Sequence, residues 1–163
     1  MATRNRRATS ARVQVSGEDN LQVLAARMRA LTEKRVAIGI RGDDELAVIA
    51  IVHEFGSAPK GIPERSFIRT GKIKSRATIN KIVKAGVIEI AYGRKHPNQL
   101  YQEIGVAGLE KTAANFERIK QPPLSPIYAS HKQGRKLLQA EEMRLKESLS
   151  WSIINRAHRG RRR

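Results

Sequence analysis

Residues 51–69, IVHEFGSAPKGIPERSFIR, hold the punctuation that divides this chain into its elements. Gly56 stops the helix before it, because glycine takes the left-handed conformation at a helix C-terminus without a Cβ penalty. Pro59, Gly61 and Pro63 fall within the span 57–63, which makes that span a loop with Lys60 at its tip. Pro63 suits the opening turn of a further helix, where its missing N–H would have had no partner. Upstream, Leu46, Ile49, Ala50 and His53 share one side of a predicted helix over 44–54. Downstream, breakers are few as far as Tyr92, and the spacing of Ile79, Ile82, Val83 and Ile90 predicts one long helix over 65–92, although VIEIA at 87–91 also has strand propensity.

Working outward, Leu21, Leu24, Met28 and Leu31 recur three and four residues apart behind Asp19 as N-cap, predicting an amphipathic helix over 19–33. Val36, Ile38 and Ile40 alternate with Ala37, Gly39 and Arg41, the period of a half-buried strand, and Gly42-Asp43-Asp44 ends it. After a break at 93–97, Val106, Leu109, Ala113, Phe116 and Ile119 predict another amphipathic helix from Asn98 to the Pro122-Pro123 pair. Residues 122–134 read as loop with one helical turn, 135–146 as a short charged helix, and Leu149, Trp151 and Ile153, alternating with serines, as a closing strand. The fold class is therefore α+β, a small mixed or antiparallel sheet against two or more long helices.

The 163 residues suit one domain, with a formal charge of +17 that excludes an ordinary acidic enzyme. Arg4, Arg6, Arg7 and Arg12 mark a basic arm over 1–15, and Arg156, Arg159, Arg161, Arg162 and Arg163 mark another over 155–163, leaving 16–154 as the domain. Such dense like charge repels itself and buries little, so both arms are expected to be disordered until an anionic partner orders them. No run approaches the roughly 20 apolar residues that span a bilayer, and no apolar block follows the basic start, so a cytoplasmic place of assembly without membrane contact is expected. With no cysteine there are no disulfides and no thiolate chemistry, and stability must come from burial or from neighbouring subunits. Aromatic residues are 4% of the chain, so charge rather than base stacking must govern contact with nucleic acid.

Catalytic signatures fail individually. His53-Glu54 lacks the second histidine of a helical zinc site, since position 57 is serine. His53, His96, His131 and His158 are scattered through different segments, the acidic clusters Asp43-Asp44-Glu45 and Glu141-Glu142 fit helix termini or solvated faces, and Gly39 and Gly42 make no nucleotide fingerprint. No enzyme, cofactor or metal is expected. The densest candidate feature is Arg69, Lys72, Lys74, Arg76, Lys81 and Lys84, which follow Arg65 with Glu64 as the one acid before Glu89. With Arg161, Arg162 and Arg163 they are the candidate contacts to phosphates or acidic surfaces.

Residues 51–69 also resemble a recurrent segment of the tail-completion and neck proteins of tailed bacteriophages, small components that join head to tail. Glu54, Phe55 and Gly56 match the family's helix end, and Ile62, Pro63, Arg65 and Phe67 match the motif that opens its long helix. A second stretch, 123–151, is similar to a later part of the family through Pro123, Leu124, Ser125, Pro126, Leu145 and Ser148. Within this pattern, Phe55 and Phe67 are expected to anchor both loop ends in the core, Gly56 to form the turn, and Arg65 to pair with Glu54. The resemblance implies a structural virion protein without catalytic activity. It implies a homo-oligomeric ring of six copies, or twelve, between the head connector or portal adaptor and the tail terminator or tail tube, with viral DNA in the lumen. The alternative from composition is a stand-alone basic nucleic-acid-binding protein, and an undetected hydrolase is the third reading.

Overall fold

A computed structural model describes residues 20–42, 44–132, 137–138 and 144–156. Helix α1 (Asn20–Glu33) runs directly into strand β1 (Lys34–Ile40), followed by α2 (Asp44–Phe55), a single 3₁₀ turn (Ala58–Lys60), α3 (Phe67–Ala91), α4 (Pro97–Arg118), the short α5 (Pro126–His131) and α6 (Arg144–Glu147), and strand β2 (Leu149–Asn155). The expected α+β class holds. The two strands form an antiparallel sheet in which Lys34 faces Asn155, Ile38 faces Trp151 and Ile40 faces Leu149.

The long helices α3 and α4 form an antiparallel pair around the turn at Tyr92–His96, where Gly93 has φ +75°. Proline opens α4, and its N-terminus is closed by a capping box, with His96 Nδ1 accepting from the Asn98 amide and Gln99 Oε1 accepting from the His96 amide. The pair packs closely because small residues line the seam. A Cβ on Gly71 would lie 3.0 Å from Thr112, and one on Gly86 would lie 2.5 Å from Leu100. The sheet lies on α4 in the same manner, with Trp151 over Gly105 and Ile38 over Gly108, where added Cβ atoms would meet them at 2.3 and 2.5 Å. Bulk on the strands thus fits hollows on the helix, the complementarity that dense cores require.

The main core gathers where the start of α3 and the end of α4 meet α2, α6 and the start of β2. Phe67 and Phe116 pack edge to face at 5.1 Å, with Ala50, Leu138, Leu145 and Leu149 around them. Buried Asn115 ties the two helices together, donating to the Phe67 carbonyl at 2.8 Å and to Thr70 Oγ1 at 2.7 Å.

Several expectations are corrected. The expected helix forms as α1, but it has no fully buried residue: of its apolar stripe Met28 and Leu31 are half-buried, whereas Leu21, at 76%, and Leu24 are exposed. Polar contacts also fasten the helix, from Arg27 Nη1 to the Ala91 carbonyl and from the Tyr101 hydroxyl to the Ala30 carbonyl. Helix α3 begins at Phe67 rather than at 65, since Ser66 is an extended N-cap and residues 63–66 precede the first turn. Leu137 and Leu138 form a turn rather than helix. β2 includes Asn155, and the Arg156 amide donates to the Glu33 carbonyl, so the last basic segment begins beyond 156. The Asp19 cap, the 1–15 arm and Arg161, Arg162 and Arg163 lie outside the described residues.

Candidate nucleic-acid and partner interface

The segment 51–69 is organised by the carboxylate of Glu54. Three residues at four-residue spacing, Leu46, Ala50 and Glu54, form the buried side of α2, so the chain carries an acid into the interior at the end of an otherwise apolar line. The acid is satisfied there. Its oxygens accept from Ser66 Oγ at 2.6 Å and from the amides of Ile68 at 3.1 Å and Arg69 at 2.8 Å. Glu54 therefore caps the first turn of α3 from another helix, placing negative charge at the positive end of the helix dipole.

This arrangement replaces the expected ion pair. Arg65 is buried, but its guanidinium donates to the Pro122 and Pro123 carbonyls, each at 2.9 Å, and clamps the segment that leaves α4. Burial pushes the guanidinium below its usual pKa. The Arg65 amide donates to the His53 carbonyl at 2.8 Å, closing the loop across its base. Between these points Ser57 and Ile62 form an antiparallel bridge around the 3₁₀ turn. Gly56 makes the turn at φ +74°, where a Cβ would lie 2.8 Å from the Ile62 carbonyl oxygen, so its expected role holds.

Of the two expected phenylalanine anchors, Phe67 is fully buried, whereas Phe55 is 70% exposed. Phe55 is one residue past Glu54, and on a helix this turns it away from the Leu46–Ala50–Glu54 line into solvent. His53 is half buried, and its Nδ1 has no hydrogen-bond partner among the described residues. Burial lowers its pKa, and the nearby Arg65 and Lys132 charges lower it further.

The six candidate cations of α3 are all exposed. Arg69 pairs with Glu64, and Lys74 Nζ donates to Asn115 Oδ1 at 2.6 Å. The side chains of Lys72, Arg76, Lys81 and Lys84 have no partner among the described residues, so their charge is directed outward. Arg69, Lys72 and Arg76 follow three- and four-residue spacing along one side, while Lys74 and Lys81, seven apart, follow another. The basic surface thus wraps around the outer half of the helix, interrupted by exposed Ile73.

Sequence reasoning missed a groove of about 830 Å³ at the other end of the α3–α4 pair. Its walls include Ile82 and Glu89 of α3 and Glu103, Val106, Ala107 and Glu110 of α4. Arg94 holds Glu89 in a bidentate pair at 2.7 and 2.8 Å and stacks on Tyr92, and Lys95 pairs with Glu103. The spacing of Glu103, Val106 and Glu110 by three and four residues was the available signal, but only the pairing of α3 with α4 makes it one wall of a concavity. Comparison of the chain with protein-family models, curated proteins and solved structures returned no match.

Proposed function

We infer that this chain is a structural virion protein, a tail-completion or neck subunit that forms a ring between a phage head connector and its tail around the DNA channel. The observation that carries the reading is the outer face of α3, where Lys72, Arg76, Lys81 and Lys84 stand exposed without a partner among the described residues. A rigid helix of 25 residues, about 37 Å long, then presents fixed positive charge to a polyanion. In a ring this face lines a lumen through which the genome passes, and repetition around the axis multiplies the field. The resemblance of 51–69 to neck proteins supports the reading through the turn at Gly56 and the buried Phe67, while Phe55, which departs from the expected anchoring, adds an exposed apolar surface suited to a neighbouring subunit. Residence in the virion neck, after assembly in the host cytoplasm, follows from this role.

Native mass measurement and electron microscopy of the full chain test the reading. A ring with a central hole, six or twelve copies in mass, supports it. A monomer that binds duplex DNA with steep salt dependence would replace it with the stand-alone nucleic-acid-binding role. A monomer without affinity for DNA would overturn both.

A further inference from the structure

The fold carries a convex apolar feature at one end of α3 and, at the other, a concave one whose rim has Glu89 and Glu103 paired with Arg94 and Lys95 and leaves Glu110 as a further acid. On α2, Val48, Ile51 and Phe55 are spaced by three and four residues and are 59%, 56% and 70% exposed. They form a continuous stripe, and the helix bears no charge between Glu45 and Glu54 apart from the titratable His53. Exposed apolar stripes of this kind mark interaction surfaces. The stripe leads into the stiff loop whose tip carries Lys60, exposed and without an ion-pair partner among the described residues.

The groove between α3 and α4 offers the complement. Ile82, Val106 and Ala107 supply its apolar part, and Glu110 on its rim has no ion-pair partner among the described residues. Glu54 bonds to the first turn of α3, whereas the groove starts at Ile82, about 20 Å farther along that helix. The stripe and the groove of one chain therefore lie at separate ends of a rigid helix.

We propose that the Val48–Ile51–Phe55 stripe and the Lys60 loop of one copy of this chain dock into the α3–α4 groove of the next, with Lys60 meeting Glu110. Helix-in-groove recognition supplies the apolar contact, and Phe55, held at the base of a stiff loop, is the aromatic anchor. The contact joins two different surfaces, so it is heterologous, and repetition closes a ring when the rotation permits. The α3 cations Arg69, Lys72 and Arg76 are not among the groove's lining and stay available to DNA. The proposal rests on the ring reading and names its subunit contact.

A mixing experiment on the full chain tests it, with assembly read by sedimentation and native mass. Phe55→Arg removes the knob and leaves the groove, whereas Val106→Arg does the reverse. Each variant alone is expected to need at least about thirtyfold more protein to assemble, the size of effect of losing a central anchor. The two variants mixed form a one-to-one dimer and nothing larger, since one intact knob meets one intact groove and the chain of contacts stops. Lys60→Glu and Glu110→Lys each weaken assembly, and combined in one chain they restore it. If the wild type forms rings while these variants assemble as it does, or while the mixture stays monomeric, this contact is overturned and the ring reading stands. A wild type that is monomeric at every concentration overturns both.

Discussion

Glu54 shows how one side chain joins two elements. Three donors converge on its carboxylate, and a buried donor without an acceptor loses the full value of its hydration. Glu54→Ala is expected to destabilise the fold by about 2–3 kcal/mol, measured by urea unfolding. An effect below about 0.5 kcal/mol would show that water satisfies the turn equally well. Gly56 and Gly61 separate two causes, since both have positive φ but only at Gly56 would a Cβ strike backbone. Gly61→Ala should therefore cost about 1 kcal/mol from conformation alone, and Gly56→Ala clearly more. Equal losses in thermal unfolding would remove the steric argument.

His53 adds a pH dependence with a defined sign. Its pKa in the folded chain is lowered by burial first, then by Arg65 and Lys132. The unfolded chain therefore binds more protons below the ordinary value of about 6.5, so this contribution is complete above that pH and is lost as the pH falls through and below it. The unfolding midpoint should decline between pH 7 and 5, and His53→Gln should flatten that decline. A slope identical in the variant would assign the effect to other groups.

At the scale of elements, α3 is anchored on one side and charged on the other. The side chains of Lys72, Arg76, Lys81 and Lys84 are exposed and have no hydrogen-bond or ion-pair partner among the described residues, so replacing all four by glutamine should move stability little, within about 0.5 kcal/mol at each site. The same variant should lower the slope of log affinity for duplex DNA against log salt by about 3–4, from four lost phosphate contacts at about 0.9 each. An unchanged slope would show that DNA does not meet this face. The packing side obeys a different rule. Gly71, Gly86, Gly105 and Gly108 serve by what they lack, because Thr112, Leu100, Trp151 and Ile38 occupy the space their side chains would need.

For the whole molecule, net charge sets the terms of assembly. Copies at +17 repel one another, so the proposed ring requires local apolar contact between subunits and would gain from a polyanion that neutralises it. Removing 157–163 should leave the unfolding midpoint unchanged, because sheet pairing ends at Asn155 and the Arg156 amide secures the chain to Glu33. The truncation also deletes Arg159, Arg161, Arg162 and Arg163 and should weaken DNA binding with a smaller salt slope. Undiminished affinity across a salt series would make that segment passive.

Periodicity and breakers were enough to place the two strands, the long helices and the loop at 57–63, because hydrophobic spacing, Gly56 and the prolines act through local geometry that the chain carries with it. They also made the exposure of the α3 cations legible, since lysine and arginine side chains without partners are kept in water whichever face of the helix is buried. Partner choice was not local. Glu54 and Arg65 are eleven residues apart with opposite charges, and pairing them is the natural reading of the chain alone. Tertiary structure brought the start of α3 to Glu54 and the end of α4 to Arg65, and satisfying buried N–H and carbonyl groups took precedence over one ion pair. It likewise decided that Phe55 points to solvent while Phe67 meets Phe116, and that Glu103, Val106 and Glu110 become the wall of a groove. Each depends on where a second helix lies, and a helix's position is set by the packing of the whole chain.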